Sequence, residues 1–165
     1  MPDGEGPVIV NTSPIITLSL VDRLDILRDI YETVLIPPTV RKEALRGGSR
    51  ATGVAELRNA TWIHTVALHD PGRADLLSDM DRGEAEVLAL AQESTARLVI
   101  VDERLARRHA RRLGIPLTGS LGVLLRAKTM GLIEEVRPLI ERVQRGGIRL
   151  GSLLVEEVLR MAGEL

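Results

Sequence analysis

The chain has 165 residues, a formal net charge of −1 and no cysteine. Together these exclude a disulfide framework, a thiolate nucleophile, a cysteine-based zinc site and any whole-molecule attraction to polyanions. A hydrophobic share of 44% with no Phe, one Trp and one Tyr requires an aliphatic core, and the length suits one domain. No apolar run reaches the roughly 20 residues needed to cross a bilayer. Residues 1–7 are polar and Gly/Pro-rich, unlike a signal peptide. The expectation is a flexible tail over 1–7, a single domain over 8–165 and a cytoplasmic location.

Val8-Ile9-Val10 is wholly apolar, as befits a strand buried on both faces. Thr12-Ser13-Pro14 reads as a helix start, with Ser13 as N-cap and Pro14 at the first helical position. A second helical stretch carries Leu24, Ile26, Leu27 and Ile30. The strand Val34-Leu35-Ile36 is stopped by Pro37-Pro38, and a helix through Val40, Glu43, Ala44 and Leu45 ends at Gly47-Gly48. A helix over Thr52–Arg58 and a strand over Trp62–Val66 follow. Asp81 opens a strongly helical segment through Leu90 and Ala91, and Leu98–Val101 is the clearest strand. The helix Arg104–Leu113 closes on Gly114 as a C-cap signal. Pro116-Leu117-Thr118 is a short last strand, Ser120 caps a helix to about Thr129, and 133–143 and 152–161 are helical. Strands alternating with helices predict an α/β fold with a parallel sheet covered on both faces.

In such sheets ligands bind in the crevice outside the carboxyl ends of the strands. Asn11 ends the first strand and Asp102 the fourth, while Glu43 and Glu84 lie early in helices. Carboxylates gathered on one rim repel each other unless a cation neutralises them, which points to a divalent metal site. Each residue also has an ordinary role: Asp102 as a helix cap, Glu84 as the third helical residue of a capping box opened by Asp81, and Glu43 as the edge of a core-facing stripe. Gly83 is costly inside a first helical turn and marks a close approach, whereas Glu86 faces elsewhere and is expected to be solvated or to support the site from behind. Asn11 brings a carbonyl oxygen but no charge. Arg104, Arg108 and Arg111 share one helical face behind Asp102, suited to phosphate contacts or to a solvated surface.

With these residues placed, the chain resembles a PIN-domain protein, of the uncharacterised PIN-like family that begins with a strand and Asn/Asp-Thr/Ser-Ser-Pro. Five segments carry the resemblance: Val8-Ile-Val-Asn-Thr-Ser-Pro-Ile-Ile, Ile36-Pro-Pro-Thr-Val-Arg-Lys-Glu-Ala, Gly83-Glu-Ala-Glu-Val-Leu-Ala-Leu-Ala, Val101-Asp-Glu-Arg-Leu-Ala-Arg and Gly114-Ile-Pro-Leu-Thr-Gly-Ser-Leu-Gly-Val-Leu. The resemblance implies a three-layer α/β/α sandwich with a central parallel sheet of about four to five strands. It implies a ribonuclease using Mg²⁺ or Mn²⁺, with Asn11, Glu43, Glu84 and Asp102 as the metal and catalytic positions. Ser13, Ser120, Arg104 and Arg108 become the substrate-binding candidates. The family includes toxins of toxin–antitoxin pairs, so the expected partners are RNA and an antitoxin protein. The apolar C-terminal helix face of Leu153, Leu154, Val155, Val158, Leu159 and Met161 suggests a partner contact, with a homodimer expected. The departure is Asn11, where active nucleases usually carry Asp; it supports the alternative of a weak or inactive PIN-like module that binds RNA or protein. A phospho-acceptor receiver domain lacks its acidic pair at Asn11, and no G-x-G-x-x-G follows the first strand.

Overall fold

The structure, a computed structural model, describes residues 4–46 and 51–165. The expected helix stop at Gly47-Gly48 and the first three residues of the tail lie outside the described residues. In chain order the elements are β1 (Val8–Val10), α1 (Thr12–Leu20), α2 (Asp25–Tyr31), β2 (Val34–Ile36), α3 (Pro38–Ala44), α4 (Val54–Asn59) and β3 (Ile63–Thr65). Then come α5 (Gly72–Asp75), α6 (Arg82–Ser94), β4 (Leu98–Ile100), α7 (Arg104–Arg112), β5 (Leu117–Thr118), α8 (Ser120–Thr129), α9 (Arg137–Arg145) and α10 (Ser152–Met161).

The five strands are all parallel in the order β3-β2-β1-β4-β5. β1 lies at the centre, with Val8, Ile9 and Val10 paired to Leu98, Val99 and Ile100. The chain first builds outward from β1 in one direction and then returns to build in the other, so the strand order reverses between β1 and β4. That reversal opens a crevice at the carboxyl ends of these two strands. β1 and β4 are buried along their whole length, which explains why both are unbroken apolar runs rather than alternating ones. Helices flank the sheet, and the core between the layers is aliphatic, with Ile9, Ile15, Leu18, Ile36, Leu88 and Ile100 fully buried.

Local sequence sets most element ends. Asp81 caps α6 by accepting the Glu84 N–H at 2.9 Å. After α7, Gly114 turns into the left-handed region (φ 69°) and its N–H donates to the Arg111 carbonyl while Ile115 donates to Ala110. This is the paired closure that only a residue free of a Cβ enters without strain. Two expected caps are not made. α1 begins at Thr12, so Asn11 and not Ser13 holds the cap position. Ser120 is the first residue of α8, and its hydroxyl is committed to Asp102 instead. The four-residue α5 carries no periodic signal in the sequence.

Candidate active site

Asn11 follows β1 directly, and its backbone N–H extends the sheet by donating to the Ile100 carbonyl at 3.0 Å. Its side chain is buried at the reversal of strand order, 2% exposed. Nδ2 donates to Glu103 Oε2 at 3.2 Å, and Oδ1 is buried without a partner. The amide's orientation follows from charge: its NH₂ end faces the carboxylate, so its carbonyl oxygen is the end left over. Thr12 and Ser13 open α1 on the same rim. The Thr12 hydroxyl donates to Glu43 Oε2 at 2.7 Å, and the Ser13 hydroxyl donates to Glu103 Oε1.

Glu43 reaches this rim from α3 and lies flat against the first turn of α6. A Cβ at Gly83 would stand 2.8 and 2.9 Å from its two carboxylate oxygens, so any side chain at 83 would drive Glu43 away. The sequence sign at Gly83 thus has its explanation in a carboxylate rather than in a backbone. Next to it, Glu84 is buried at 8% exposure. Burial pushes its pKa up to about 7, helped by the neighbouring carboxylates of Asp81, Glu103 and Glu43. Asp81 gives Glu84 the backbone half of a capping box. Among the described residues the reciprocal bond from Asp81 N–H to the Glu84 carboxylate is not formed; the Glu84 carboxyl instead shares a side-chain hydrogen bond with Asp81.

Asp102 sits at the end of β4 but faces β5. Its Oδ1 accepts from the Ser120 backbone N–H at 2.7 Å and its Oδ2 from the Ser120 hydroxyl at 2.6 Å. Asp102 is an exposed residue, yet partial loss of water around its carboxyl raises its pKa, against the pull of those two bonds. Gly119 is required here too, because a Cβ would stand 2.8 Å from Asp102 Oδ1 and 2.9 Å from Arg107 Nη1. Arg107 donates to the Val101 carbonyl at 2.9 Å.

The residue the sequence reading passed over is Glu103. It stands at the cap position of α7 without capping it, and it accepts from both Asn11 and Ser13. Its signal was present: Asp102 and Glu103 are consecutive acids after a buried strand, and neighbouring side chains in an extended segment diverge. One turns to Ser120 and the other to the pocket. The pocket is therefore lined by Asn11, Glu43, Glu84 and Glu103, with Thr12 and Ser13 as hydroxyl props, while Asp102 and Ser120 form a separate pair beside it.

Among the described residues no group of three acidic or histidine side chains is drawn together closely enough to hold a metal as it stands. Hydroxyl and amide donors of Thr12, Ser13 and Asn11 occupy oxygens of Glu43 and Glu103 in this arrangement. The donor chemistry nonetheless fits a hard divalent ion, being all oxygen, with an orphaned buried carbonyl oxygen at Asn11 and a carboxylate at Glu84 whose proton is held by want of a counter-charge.

Outside the pocket, Arg104, Arg108, Arg111 and Arg112 on α7 are exposed. Among the described residues none of the four has an ion-pair partner. The acidic partners that would make α7 an ordinary solvated helix are absent from its own sequence as well.

An acid-lined crevice at the reversal point of an all-parallel, helix-flanked sheet defines a PIN-type α/β sandwich. The chain belongs to the DUF3368 family, described as a PIN domain, whose profile matches residues 7–164. No curated protein matches the chain. PIN domains are in general nucleases and typically use divalent metals, and among the described residues no helix is long and apolar enough to cross a membrane.

Proposed function

We propose that this protein is a divalent-metal-dependent endoribonuclease hydrolysing RNA phosphodiester bonds, with Mg²⁺ or Mn²⁺ as its ion. The observation that carries the reading is the buried Asn11 Oδ1, unpartnered among carboxylates of Glu43, Glu84 and Glu103. An unpaired buried oxygen costs about 1–3 kcal/mol, and a cation in the pocket removes that cost and the mutual repulsion of the acids together. Glu43, Glu84, Glu103 and Asn11 would hold the ion. The chemistry it supplies when bound is stabilisation of the charge growing on the phosphodiester and activation of a water.

The residues of the chain prepare that pocket. Thr12 fixes one carboxylate oxygen of Glu43, and Ser13 with Asn11 fixes both oxygens of Glu103. Glu84 holds its proton below about pH 7, and a bound cation would displace that proton to solvent and take the carboxylate as a ligand. Asp102, first expected as a direct ligand, acts by anchoring the start of α8 through Ser120. Ser13 and Ser120, expected to touch substrate, spend their hydroxyls on Glu103 and Asp102. Arg104 and Arg108, one helical turn apart and free of acidic partners, hold the substrate backbone on the approach to the pocket. With one Trp and one Tyr in the chain, base stacking on aromatics is a minor part of recognition.

The same reading includes a cytoplasmic protein, a place for an antitoxin and a homodimer. The partner contact is supported by α10, where Leu153, Leu154 and Met161 are exposed while Val158 and Leu159 pack inward.

Purified protein incubated with single-stranded RNA and Mn²⁺ should cleave it. Glu84→Gln and Glu103→Gln should each lower the rate by at least the ~10–100-fold that supporting residues of metal sites are worth, with Asp102→Asn falling less. Cleavage at the wild-type rate in Glu84→Gln would overturn the assignment. The second reading, a non-catalytic PIN-like module, rests on the missing charge at Asn11, and Mn²⁺ titration calorimetry without heat would favour it.

A further inference from the structure

Glu86 lies two residues beyond Glu84 and does not enter the pocket. Expected to be solvated or to back the site, it is 8% exposed, so solvation is excluded. Its Oε2 accepts the Thr39 hydroxyl at 2.5 Å and pairs with Arg82 Nε at 3.3 Å. Arg82 is anchored in turn by Asp75 Oδ1 at 2.5 Å and by the Pro71 carbonyl at 3.2 Å. A buried carboxylate with this much local support has a task, and the task is legible from what its partner carries.

Thr39 is the second residue of α3, and Glu43 is four residues on, so the two share one face of that helix. Thr39 meets α6 at Glu86, and Glu43 meets α6 at Gly83. Moving one turn forward along α3 moves three residues backward along α6, so the helices run side by side in opposite senses with two contacts about one turn apart. At ~1.5 Å rise per residue these contacts are separated by about 6 Å along α3 and 4.5 Å along α6. At the inner contact Glu43 fills the space that a Cβ at Gly83 would take, and Thr12 holds it from the other side. The outer contact is a side-chain hydrogen bond joining the two helices directly. A shift there changes the separation of α3 and α6, and Glu43 moves with its helix.

We propose that Glu86, acting through Thr39, is the positioning residue for Glu43. It sets the spacing of α3 on α6 that presents the Glu43 carboxylate to the pocket, and Arg82 holds Glu86 in place for it. The functional consequence rests on the metal-site reading above, since Glu43 matters to the extent that the pocket holds a cation.

The test uses the full chain and Mn²⁺ alone, by titration calorimetry. Thr39→Val, which keeps shape and removes the hydroxyl, should weaken Mn²⁺ binding by about tenfold or more. Thr39→Ser should stay within about twofold of wild type. Glu43→Gln combined with Thr39→Val should bind no more weakly than Glu43→Gln alone, because Thr39 acts through Glu43; a merely structural bond would subtract independently. Thr39→Val with wild-type affinity, or losses that simply add, overturns the proposal. Absence of Mn²⁺ heat in the wild type overturns the metal-site reading instead. The spacing role is then decided by thermal unfolding of Thr39→Val, Thr12→Val and the double variant: coupled shifts support it, and additive shifts overturn it.

Discussion

Asn11 is held by one end only, and that asymmetry decides what the pocket offers. An aspartate there would set a second carboxylate 3.2 Å from Glu103 in a buried setting, where like charges raise each other's pKa. The amide instead donates to Glu103 and turns its oxygen inward, so the charge absent at 11 is supplied at 103. Glu84 shows the cost of gathering acids without a counter-charge. Its pKa is about 7 in the fold against an ordinary 4.5. Between those values the folded state binds more protons than the unfolded one, so this group's contribution to stability falls as pH rises from about 4.5 to about 7. In the presence of EDTA, Glu84→Gln should therefore be more stable than wild type at pH 8, by on the order of 3 kcal/mol, and the difference should vanish by pH 4. Thermal melts at the two pH values check this. A variant less stable than wild type at pH 8 would show that Glu84 is paired in the fold.

At the scale of elements, two glutamates each tie down the start of a distant helix. Glu93 accepts the backbone N–H groups of His69 at 2.8 Å and Asp70 at 2.9 Å. Glu164 accepts those of Val136 at 2.8 Å and Arg137 at 2.9 Å, and Lys128 Nζ sits 2.9 Å from it. Burial pushes the Glu164 pKa up, but these bonds outweigh it and hold the carboxyl below its usual range. Since α10 ends on this clasp, Glu164→Ala should cost about 2 kcal/mol, seen as a fall in melting temperature of roughly 4–8 °C. The arginines of α7 make a different prediction. If Arg104 and Arg108 each neutralise one RNA phosphate, replacing either with Ala should flatten the slope of log affinity against log salt by about 0.7. Weakened binding with an unchanged slope would exclude a phosphate contact.

The elements were legible because their signals are local. Apolar runs marked β1, β2 and β4, Asp81 marked α6, and Gly114 marked the end of α7. The wrong caps share one cause. Ser13 and Ser120 look like caps from their neighbours alone, but acids 90 and 18 residues away recruit their hydroxyls, and nothing local records such a partner. The same reason hid Glu103: whether the first or second of two consecutive acids enters a pocket depends on which strand lies beside β4.

At the scale of the whole molecule, that neighbour relation is what assembles the site. The order β3-β2-β1-β4-β5 brings the end of β1 beside the end of β4 although 90 residues separate their registers; α3 and α6 then deliver Glu43 and Glu84 to the same rim. Each acid rides on a different element, so no single segment contains the pocket.

The strands are also short, with three residues in each of β1 to β4 and two in β5. The bond from Asn11 N–H to the Ile100 carbonyl joins the two central strands, and that from Val101 N–H to the Thr118 carbonyl joins β4 to the edge strand β5, so each is among few that hold its pair together. A pocket seated on such bonds cannot open without loosening the sheet. In hydrogen–deuterium exchange, the amides of Asn11 and Val101 should exchange only at the free energy of global unfolding. Substitutions that destabilise the far side of the sheet should speed them by the same factor as the slowest amides in the core. The Asn11 edge of the pocket then moves only when the sheet does, whereas Glu43 follows the spacing of α3 on α6.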